Sequence, residues 1–175
     1  MKLRTLLATL VSLSGLALFA HAAPLTVGSP APAISGVDQD GKTINFTEVY
    51  AKGPTLVYFF PKADTPGCTK QGCSIRDSWA DLTKAGIQVI GVSEDTVAAQ
   101  KAFADKFHFP HLLIADHDGK VAAAFGTDFI ANKPLTQRQS FLIKDGKVAW
   151  NMLKGTSTET HAQDVLKANA ELSKK

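Results

Sequence analysis

Residues 55–73 read TLVYFFPKADTPGCTKQGC, and this stretch decides the fold. Residues 55–60 form a continuous apolar run that ends at Pro61, which is typical of a β-strand buried on both faces. Thr65 followed by Pro66 indicates a helix start, with threonine at the N-cap and proline at the first helical position. Apolar residues then recur at helical spacing, so the strand is predicted to lead into a helix over residues 66–84.

Strand and helix signals alternate on both sides of this stretch. A β-hairpin is predicted over residues 33–37 and 43–46, around the turn-forming residues 38–41. Further strands are predicted at 87–92, 112–115, 140–143 and 148–152, and further helices at 97–107, 120–125 and 158–173. This order predicts one α/β domain with a thioredoxin-like fold, in which helices flank a mixed central β-sheet and a β-hairpin precedes it.

The composition is that of an ordinary soluble globular domain. Of the 175 residues, 45% are hydrophobic and 20% are charged, which excludes collagen-like and disordered classes. Lys2 and Arg4 account for two of the 19 basic residues, and the remaining basic residues nearly balance the 16 acidic ones. We therefore expect neither nucleic acid nor an anionic membrane surface as a partner.

Residues 1–22 are predicted to be an export signal. Lys2 and Arg4 precede an apolar run over residues 6–20, and Ala20-His21-Ala22 fits the small-x-small cleavage rule. The alternative is a retained anchor, but the run falls short of the roughly 20 residues that a spanning helix needs. Cleavage is predicted after Ala22. We expect residues 23–175 to form a periplasmic or secreted domain without stable membrane association.

Cys68 is predicted to be a nucleophile because of its place in the helix. With Thr65 as the N-cap, Cys68 is the third helical residue, inside the first turn. There the unpaired backbone N–H groups and the positive end of the helix dipole stabilise a thiolate. The same N–H groups can stabilise charge that develops on an oxygen attacked by the sulfur.

Cys73 lies five residues further along the same predicted helix. Ideal helix geometry separates the two Cα atoms by about 8.6 Å, whereas a disulfide tolerates at most about 7 Å. If the two cysteines react with each other, the first helical turns must unwind. Gly72 inside the helix costs about 1 kcal/mol relative to alanine, and we expect it to ease that unwinding.

Other interpretations of these residues remain open. Cys68 and Cys73 are candidates for buried structural thiols, or for zinc ligands together with His108 and His111. The role of Thr65 is explained by helix capping alone. By their spacing Ile75 and Trp79 are expected in the core, and Arg76 and Asp77 on a solvated or ion-paired face.

The spacing Pro61-x-x-x-Thr65-x-x-Cys68 resembles the active-site signature of the peroxiredoxins, which are thiol peroxidases of thioredoxin-like fold. Residues 58–69 resemble the bacterioferritin-comigratory, or Q-type, branch of that family. In this branch a second cysteine follows the first by five residues, as Cys73 does. Residues 138–146 are similar to the family's arginine-containing strand, with Arg138 in the arginine position, and residues 27–32 also match.

The resemblance implies a role for each of these residues. Cys68 is implied as the peroxidatic thiolate that attacks the peroxide. Thr65 and Arg138 are implied to hydrogen-bond the thiolate and the peroxide, while Pro61 shields the sulfenic acid that forms. Cys73 is implied as the resolving cysteine, which condenses with the oxidised Cys68 to give a disulfide.

The implied function is the reduction of hydrogen peroxide and organic hydroperoxides, with recycling by a thioredoxin-like dithiol. No metal, haem, flavin or nucleotide cofactor is expected, and we expect a monomer. Two other classes stay open: a thiol–disulfide oxidoreductase acting on proteins, and a non-catalytic periplasmic binding domain. The first ordinarily carries C-x-x-C, which this sequence lacks.

Overall fold

A five-stranded mixed β-sheet lies at the centre of the computed structural model, which describes residues 23–174 except 132 and 134. The strands are β1 (Ser35–Val37), β2 (Thr43–Asn45), β3 (Thr55–Phe59), β4 (Gln88–Ser93), β5 (Leu112–Ala115), β6 (Gln139–Lys144) and β7 (Lys147–Met152). The helices are α1 (Phe46–Tyr50), α2 (Pro66–Asp77), α3 (Trp79–Lys84), α4 (Val97–Phe107), α5 (Lys120–Phe125) and α6 (His161–Leu172). The predicted export signal lies outside the described residues.

The strand order in the main sheet is β5-β4-β3-β6-β7, and β1 and β2 pair as a separate hairpin. Strand β3 runs parallel to β4 and antiparallel to β6, while β4 and β5 are parallel. Strands β6 and β7 meet at Asp145 and Gly146, whose left-handed φ angles of 52° and 70° suit a two-residue hairpin turn. The predicted mixed α/β fold with its N-terminal hairpin is thus confirmed.

The central strand β3 divides the core into two layers. Leu56 and Tyr58 face the layer that contains α2, α3, α4 and α6, whereas Val57 and Phe59 face α1 and α5. Alternate side chains of a strand point to opposite faces, and all five residues of β3 are buried. The strand predicted to be buried on both faces has helices over both. Within the described residues, no helix is both long and apolar enough to span a membrane.

The prediction of one helix over residues 66–84 is wrong, because the helix is interrupted at Ser78, which separates α2 from α3. This residue leaves helical geometry, with φ −99° and ψ 13°. Its hydroxyl accepts a hydrogen bond of 3.1 Å from Gln163 on α6. Ile75 and Leu82 are both fully buried in the same layer on either side of the break. The apolar spacing therefore continues across Ser78 and does not reveal the change of helix.

Two element boundaries also differ from the predictions. Phe46, predicted as the end of a strand, is the first residue of α1, and the Asn45 side chain caps this helix by accepting from the Thr47 amide. The C-terminal helix begins at His161 rather than at residue 158. Asn45 is a strong N-cap residue type, and α1 was missed because five residues are too few to show a helical period.

Candidate active site

The loop from β3 to α2 is held by contacts from α4 and from the residues after β4. Asp64 adopts a left-handed φ of 56° and forms a 2.7 Å salt bridge with Lys106 near the end of α4. The Ala63 amide donates a 2.7 Å hydrogen bond to the Asp95 carboxylate. Pro61, half-buried, begins this loop one residue after Phe60. These contacts fix the path by which the chain enters α2.

Thr65 is the N-cap of α2 and Pro66 is its first residue, as predicted. The Thr65 backbone is extended, with φ −89° and ψ 153°. Its hydroxyl does not cap the helix; it donates a 3.0 Å hydrogen bond to the Lys62 carbonyl within the same loop. The expectation that the Thr65 side chain caps the first turn is therefore wrong. The first-turn N–H groups remain available to a ligand or to a thiolate.

Cys68 is the third residue of α2, only 2% exposed, and its thiol is free. Arg138 donates a hydrogen bond from Nη2 to Cys68 Sγ across 3.3 Å. Phe59 and Gln139 are register partners at the end of the β3–β6 pair. Because Arg138 directly precedes Gln139, the pairing of these two strands brings the guanidinium to the start of α2.

Gly67 makes room for the guanidinium, a role that the sequence did not reveal. A Cβ atom on Gly67 would lie 2.7 Å from Arg138 Nη2, closer than real Cβ contacts allow. Glycine lacks this atom, so the cation reaches the sulfur across the first turn of the helix.

A buried polar chain continues from Arg138 into the core. Arg138 Nη1 donates a 2.8 Å hydrogen bond to Gln71 Oε1, and Gln71 Nε2 lies 3.3 Å from His161 Nδ1. His161 Nε2 lies 2.9 Å from Ser140 Oγ on β6. Gln71, Ser140 and His161 are fully buried. Sequence reasoning missed all three, although Gln71 follows Cys68 by three residues and so shares its helix face.

Tyr58 and His111 form a second polar contact next to the site. The Tyr58 hydroxyl lies 2.9 Å from His111 Nε2. Burial, and then the charge of Cys68, raises the pKa of the Tyr58 phenol well above its usual range, so the phenol stays protonated. Burial, together with nearby His161, lowers the pKa of His111 to about 3, so the imidazole is neutral. This part of the site is polar without adding charge.

Cys73 is half-buried on the same unbroken helix and packs against the core layer that contains Cys68. Both thiols are free. A Cβ on Gly72 would lie 2.5 Å from Cζ of Phe109, so this glycine is required by close packing of the aromatic ring. The expectation that Gly72 serves to ease unwinding therefore has a competing structural explanation.

Arg76 and Asp77 form an ion pair of 2.8 Å, as predicted for a paired face. Arg76 also donates a 2.9 Å hydrogen bond to the Phe107 carbonyl at the end of α4. Its guanidinium is thus engaged outside the group of residues around Cys68. Ile75 is fully buried as predicted, whereas Trp79, expected in the core, is half-buried with its ring 6.3 Å from that of His111.

The described residues do not bring together a set of side chains that supports the zinc interpretation. His111 is engaged with Tyr58. In the described part of the chain, no group of three or more His, Cys, Asp and Glu side chains is placed to hold a metal ion.

Comparison with known proteins gives a consistent set of relatives. The model of the AhpC/TSA family matches residues 27–151. Peroxiredoxin Q from the chloroplast of Gentiana triflora is 38% identical over 146 residues, which are 83% of this chain and 67% of that protein. The chain thus spans about two thirds of that chloroplastic relative. A putative peroxiredoxin bcp of Coxiella burnetii is 32% identical over 147 residues, 81% of this chain and 97% of that protein.

A solved structure of the bacterioferritin comigratory protein of Xanthomonas campestris superposes with a TM-score of 0.73. It is 25% identical, and the match covers 83% of this chain and 98% of that one. The Xanthomonas protein is described by its alkyl peroxide reduction activity.

Proposed function

This chain belongs to the AhpC/TSA family, in its peroxiredoxin Q branch, and from that membership we propose that Cys68 is the peroxidatic residue of an exported peroxidase. The thiol peroxidase chemistry, which reduces a peroxide at a cysteine, follows from the family. The proposal adds four points: the residues that carry out this chemistry, the substrates, the reductant and the compartment.

The observation that carries the assignment is the hydrogen bond from Arg138 to Cys68 Sγ in the first turn of α2. An arginine remains protonated at any physiological pH and offers only donors. The guanidinium and the positive end of the helix both interact favourably with negative charge on the sulfur. The thiolate is the nucleophilic form of cysteine.

In the proposed first step, the Cys68 thiolate attacks one peroxide oxygen and forms an S–O bond. The O–O bond breaks, and the leaving oxygen takes a proton and departs as water or an alcohol. The sulfur is oxidised by two electrons to a sulfenic acid, and the peroxide is reduced by the same two electrons. Arg138 stabilises the charge that moves from sulfur to oxygen.

Thr65 and Pro61 are assigned supporting roles in this step. The Thr65 hydroxyl donates its one proton to the Lys62 carbonyl across 3.0 Å, so it can accept from a peroxide O–H as it stands but has to leave the carbonyl to donate to the thiolate or the peroxide. Pro61, at the start of the same loop, is assigned to shielding the sulfenic acid from water.

In the proposed second step, the Cys73 thiol attacks the sulfenic sulfur, a disulfide forms and water leaves. The first turns of α2 must unwind for this step, because an intact helix holds the two Cα atoms about 8.6 Å apart. A thioredoxin-like dithiol then reduces the disulfide by exchange through a mixed disulfide. The protein is proposed to act as a monomer.

Hydrogen peroxide and organic hydroperoxides are the proposed substrates. The alkyl peroxide activity of the Xanthomonas relative supports the second class. Export is proposed from the signal pattern of residues 1–22, with cleavage after Ala22 and a periplasmic or secreted location. In such a compartment the dithiol partner must itself be exported or receive electrons across the membrane.

The deciding experiment is stopped-flow reaction of reduced residues 23–175 with stoichiometric hydrogen peroxide, followed by mass analysis. We expect fast loss of both thiols and one intramolecular disulfide between Cys68 and Cys73. Cys68→Ser is expected to abolish the reaction, while Cys73→Ser keeps the fast first step and accumulates sulfenic acid. Slow and unselective oxidation of both thiols would overturn the proposal and favour protein thiol exchange or a binding role.

A further inference from the structure

His161 is a buried titratable side chain that the proposed reaction does not use. It is the first residue of α6 and is fully buried. It contacts Gln71 from α2 through Nδ1 and Ser140 from β6 through Nε2. Its ring also packs edge-on against Tyr58, with the centroids 5.5 Å apart.

The orientation of the Gln71 amide follows from its neighbour Arg138. A guanidinium has only donors, so the atom of Gln71 that faces it at 2.8 Å must be the carbonyl oxygen Oε1. The NH2 group of Gln71 then points to His161 Nδ1 at 3.3 Å. Since that group is a donor, Nδ1 has to be an acceptor without a proton.

The same logic fixes the protonation state of the imidazole. A neutral histidine carries one N–H, and with Nδ1 as acceptor the proton sits on Nε2. That N–H donates to Ser140 Oγ at 2.9 Å. A proton on Nδ1 instead would set two donors against each other and remove the hydrogen bond that holds the NH2 end of the Gln71 amide.

We propose that His161 is a positioning residue for the peroxidatic site: as the neutral Nε2–H tautomer it locks the Gln71 amide, which holds the Arg138 guanidinium against Cys68 Sγ. His161 itself touches neither the sulfur nor the peroxide. It acts through two hydrogen bonds in series and makes the placement of the cation depend on the start of α6.

The electrostatic surroundings keep this imidazole neutral. Burial, and then the positive charge of Arg138, lowers the pKa of His161 to about 4. The titratable, charged and polar groups that face it from the packed elements are those of Gln71 on α2, Tyr58 on β3, Arg138 and Ser140 at β6, and His111 before β5. The His161 imidazole therefore stays neutral throughout the neutral pH range, which leaves one ring nitrogen able to accept.

The first arm of the test is nitrogen NMR of the reduced wild-type protein at neutral pH. The His161 signals are assigned by their loss in a His161→Asn variant. We expect a bare Nδ1 and a protonated Nε2. A proton on Nδ1, or an imidazolium, would overturn the proposal, and this readout requires no peroxide and takes its values from the wild-type protein.

The second arm compares His161→Asn with His161→Leu, two side chains that branch alike at Cγ. Asparagine presents an acceptor oxygen near the position of Nδ1, whereas leucine leaves the Gln71 amide without a partner. We expect leucine to lower the second-order rate constant for hydrogen peroxide about tenfold, the size of effect expected for an unsatisfied buried donor. Asparagine should stay within about twofold of wild type. Equal losses in two folded variants would show a packing role and overturn the proposal.

This inference rests on the proposed function only in its second arm. If the wild type reacts slowly with peroxide, the assignment of Cys68 fails, while the tautomer measurement still decides whether His161 positions Gln71 and Arg138. If the wild type reacts fast and the tautomer is the other one, the proposed function stands and the role of His161 is refuted.

Discussion

The Arg138 guanidinium donates a hydrogen bond to Cys68 Sγ across 3.3 Å, although the two residues are 70 positions apart in the chain. A second nitrogen of the same guanidinium donates to Gln71 Oε1 at 2.8 Å. Cys68 and Gln71 follow each other by three residues on α2, so one helical turn receives both donors. The fixed fork of an arginine fits this pair of acceptors, which a flexible ammonium would not hold in the same way.

Replacing Arg138 is expected to slow the reaction with peroxide strongly. Arg138→Met removes a charge-assisted hydrogen bond, and we expect the second-order rate constant to fall about 10- to 100-fold. Arg138→Lys keeps the charge but not the paired contacts, so it should recover only part of the loss. Stopped-flow measurement with hydrogen peroxide checks both values.

Arg76→Met is the matched control for this prediction. Arg76 pairs with Asp77 and the Phe107 carbonyl, so we expect its rate constant to stay within about twofold of wild type, the range of a weak surface ion pair. A loss as large as that of Arg138→Met would contradict the assignment of the cation.

Gly67→Ala tests whether the first turn of α2 must be free of a Cβ. The added atom would lie 2.7 Å from Arg138 Nη2 and push the guanidinium from the sulfur. We expect the peroxide rate constant to fall about tenfold, toward that of Arg138→Met, because the same charge-assisted hydrogen bond is lost. Lys70→Ala is the control. Lys70 is exposed near the start of α2 and pairs with Glu159, so this variant should keep the wild-type rate. An unaffected Gly67→Ala enzyme would show that the cation tolerates the shift.

The sequence predicts the backbone of this site better than its polar interior. The apolar run at 55–60 and the pair Thr65-Pro66 predict the strand, the turn and the helix start, because burial and capping leave local patterns. The buried contacts of Gln71 and His161 depend on side chains that are 90 positions apart. No local pattern encodes such a pairing.

The glycines show the same limit. The sequence suggests that Gly72 weakens the helix, since glycine has a low helix propensity. Only the tertiary packing shows that Phe109 fills the space of its missing Cβ. The sequence around Gly67 gives no signal of its role, because Arg138, which needs the space, lies far along the chain, directly before β6.

Gly72→Ala is expected to destabilise the reduced protein despite the better helix propensity of alanine. Its Cβ would lie 2.5 Å from the Phe109 ring, which packs among Phe103 and Phe107 and has little room to move. We expect a loss of about 1–3 kcal/mol in the free energy of unfolding, typical of overpacking. Urea denaturation of the reduced protein gives the value.

A double-mutant cycle with Phe109→Leu separates clash from propensity. If the ring causes the loss, Gly72→Ala should cost much less in the Phe109→Leu background. Additive losses would instead mean that the cost lies in the backbone. The same background is the proper one in which to ask whether alanine at position 72 slows disulfide formation.

The buried histidines are expected to make the reduced protein less stable as the pH falls. Burial lowers the pKa of His161 to about 4 and that of His111 to about 3, whereas an unfolded histidine titrates near pH 6.5. Below about pH 6.5 the unfolded chain binds more protons than the folded one, so the free energy of unfolding rises with pH in this window. The slope is up to about 1.4 kcal/mol per pH unit for each histidine.

Urea denaturation between about pH 7 and pH 5.5 measures this slope. Glu94 and Asp116 act in the opposite sense, because burial raises their pKa values, and both are present in the wild type and in the histidine variants. His161→Asn should remove the contribution of one histidine from the slope of the free energy of unfolding against pH. Adding His111→Asn should reduce this slope further. A slope that is the same in wild type and in the double variant would contradict the assignment of the acid sensitivity to these two residues.

Oxidation is expected to unfold the start of α2 while the sheet stays intact. The first helical turn is closed by the Thr69 amide donating to the Thr65 carbonyl at 2.8 Å. A disulfide between Cys68 and Cys73 needs Cα atoms within about 7 Å, which an unbroken helix cannot provide over five residues. Hydrogen exchange should therefore show that residues 69–73 lose their protection in the disulfide form, while β3 and β4 keep theirs.

Peroxide-treated Cys73→Ser, which carries the oxidised sulfur without the bridge, should retain a protected helix. Protection of residues 69–73 in protein that mass analysis shows to be fully disulfide-bonded would refute the unwinding step.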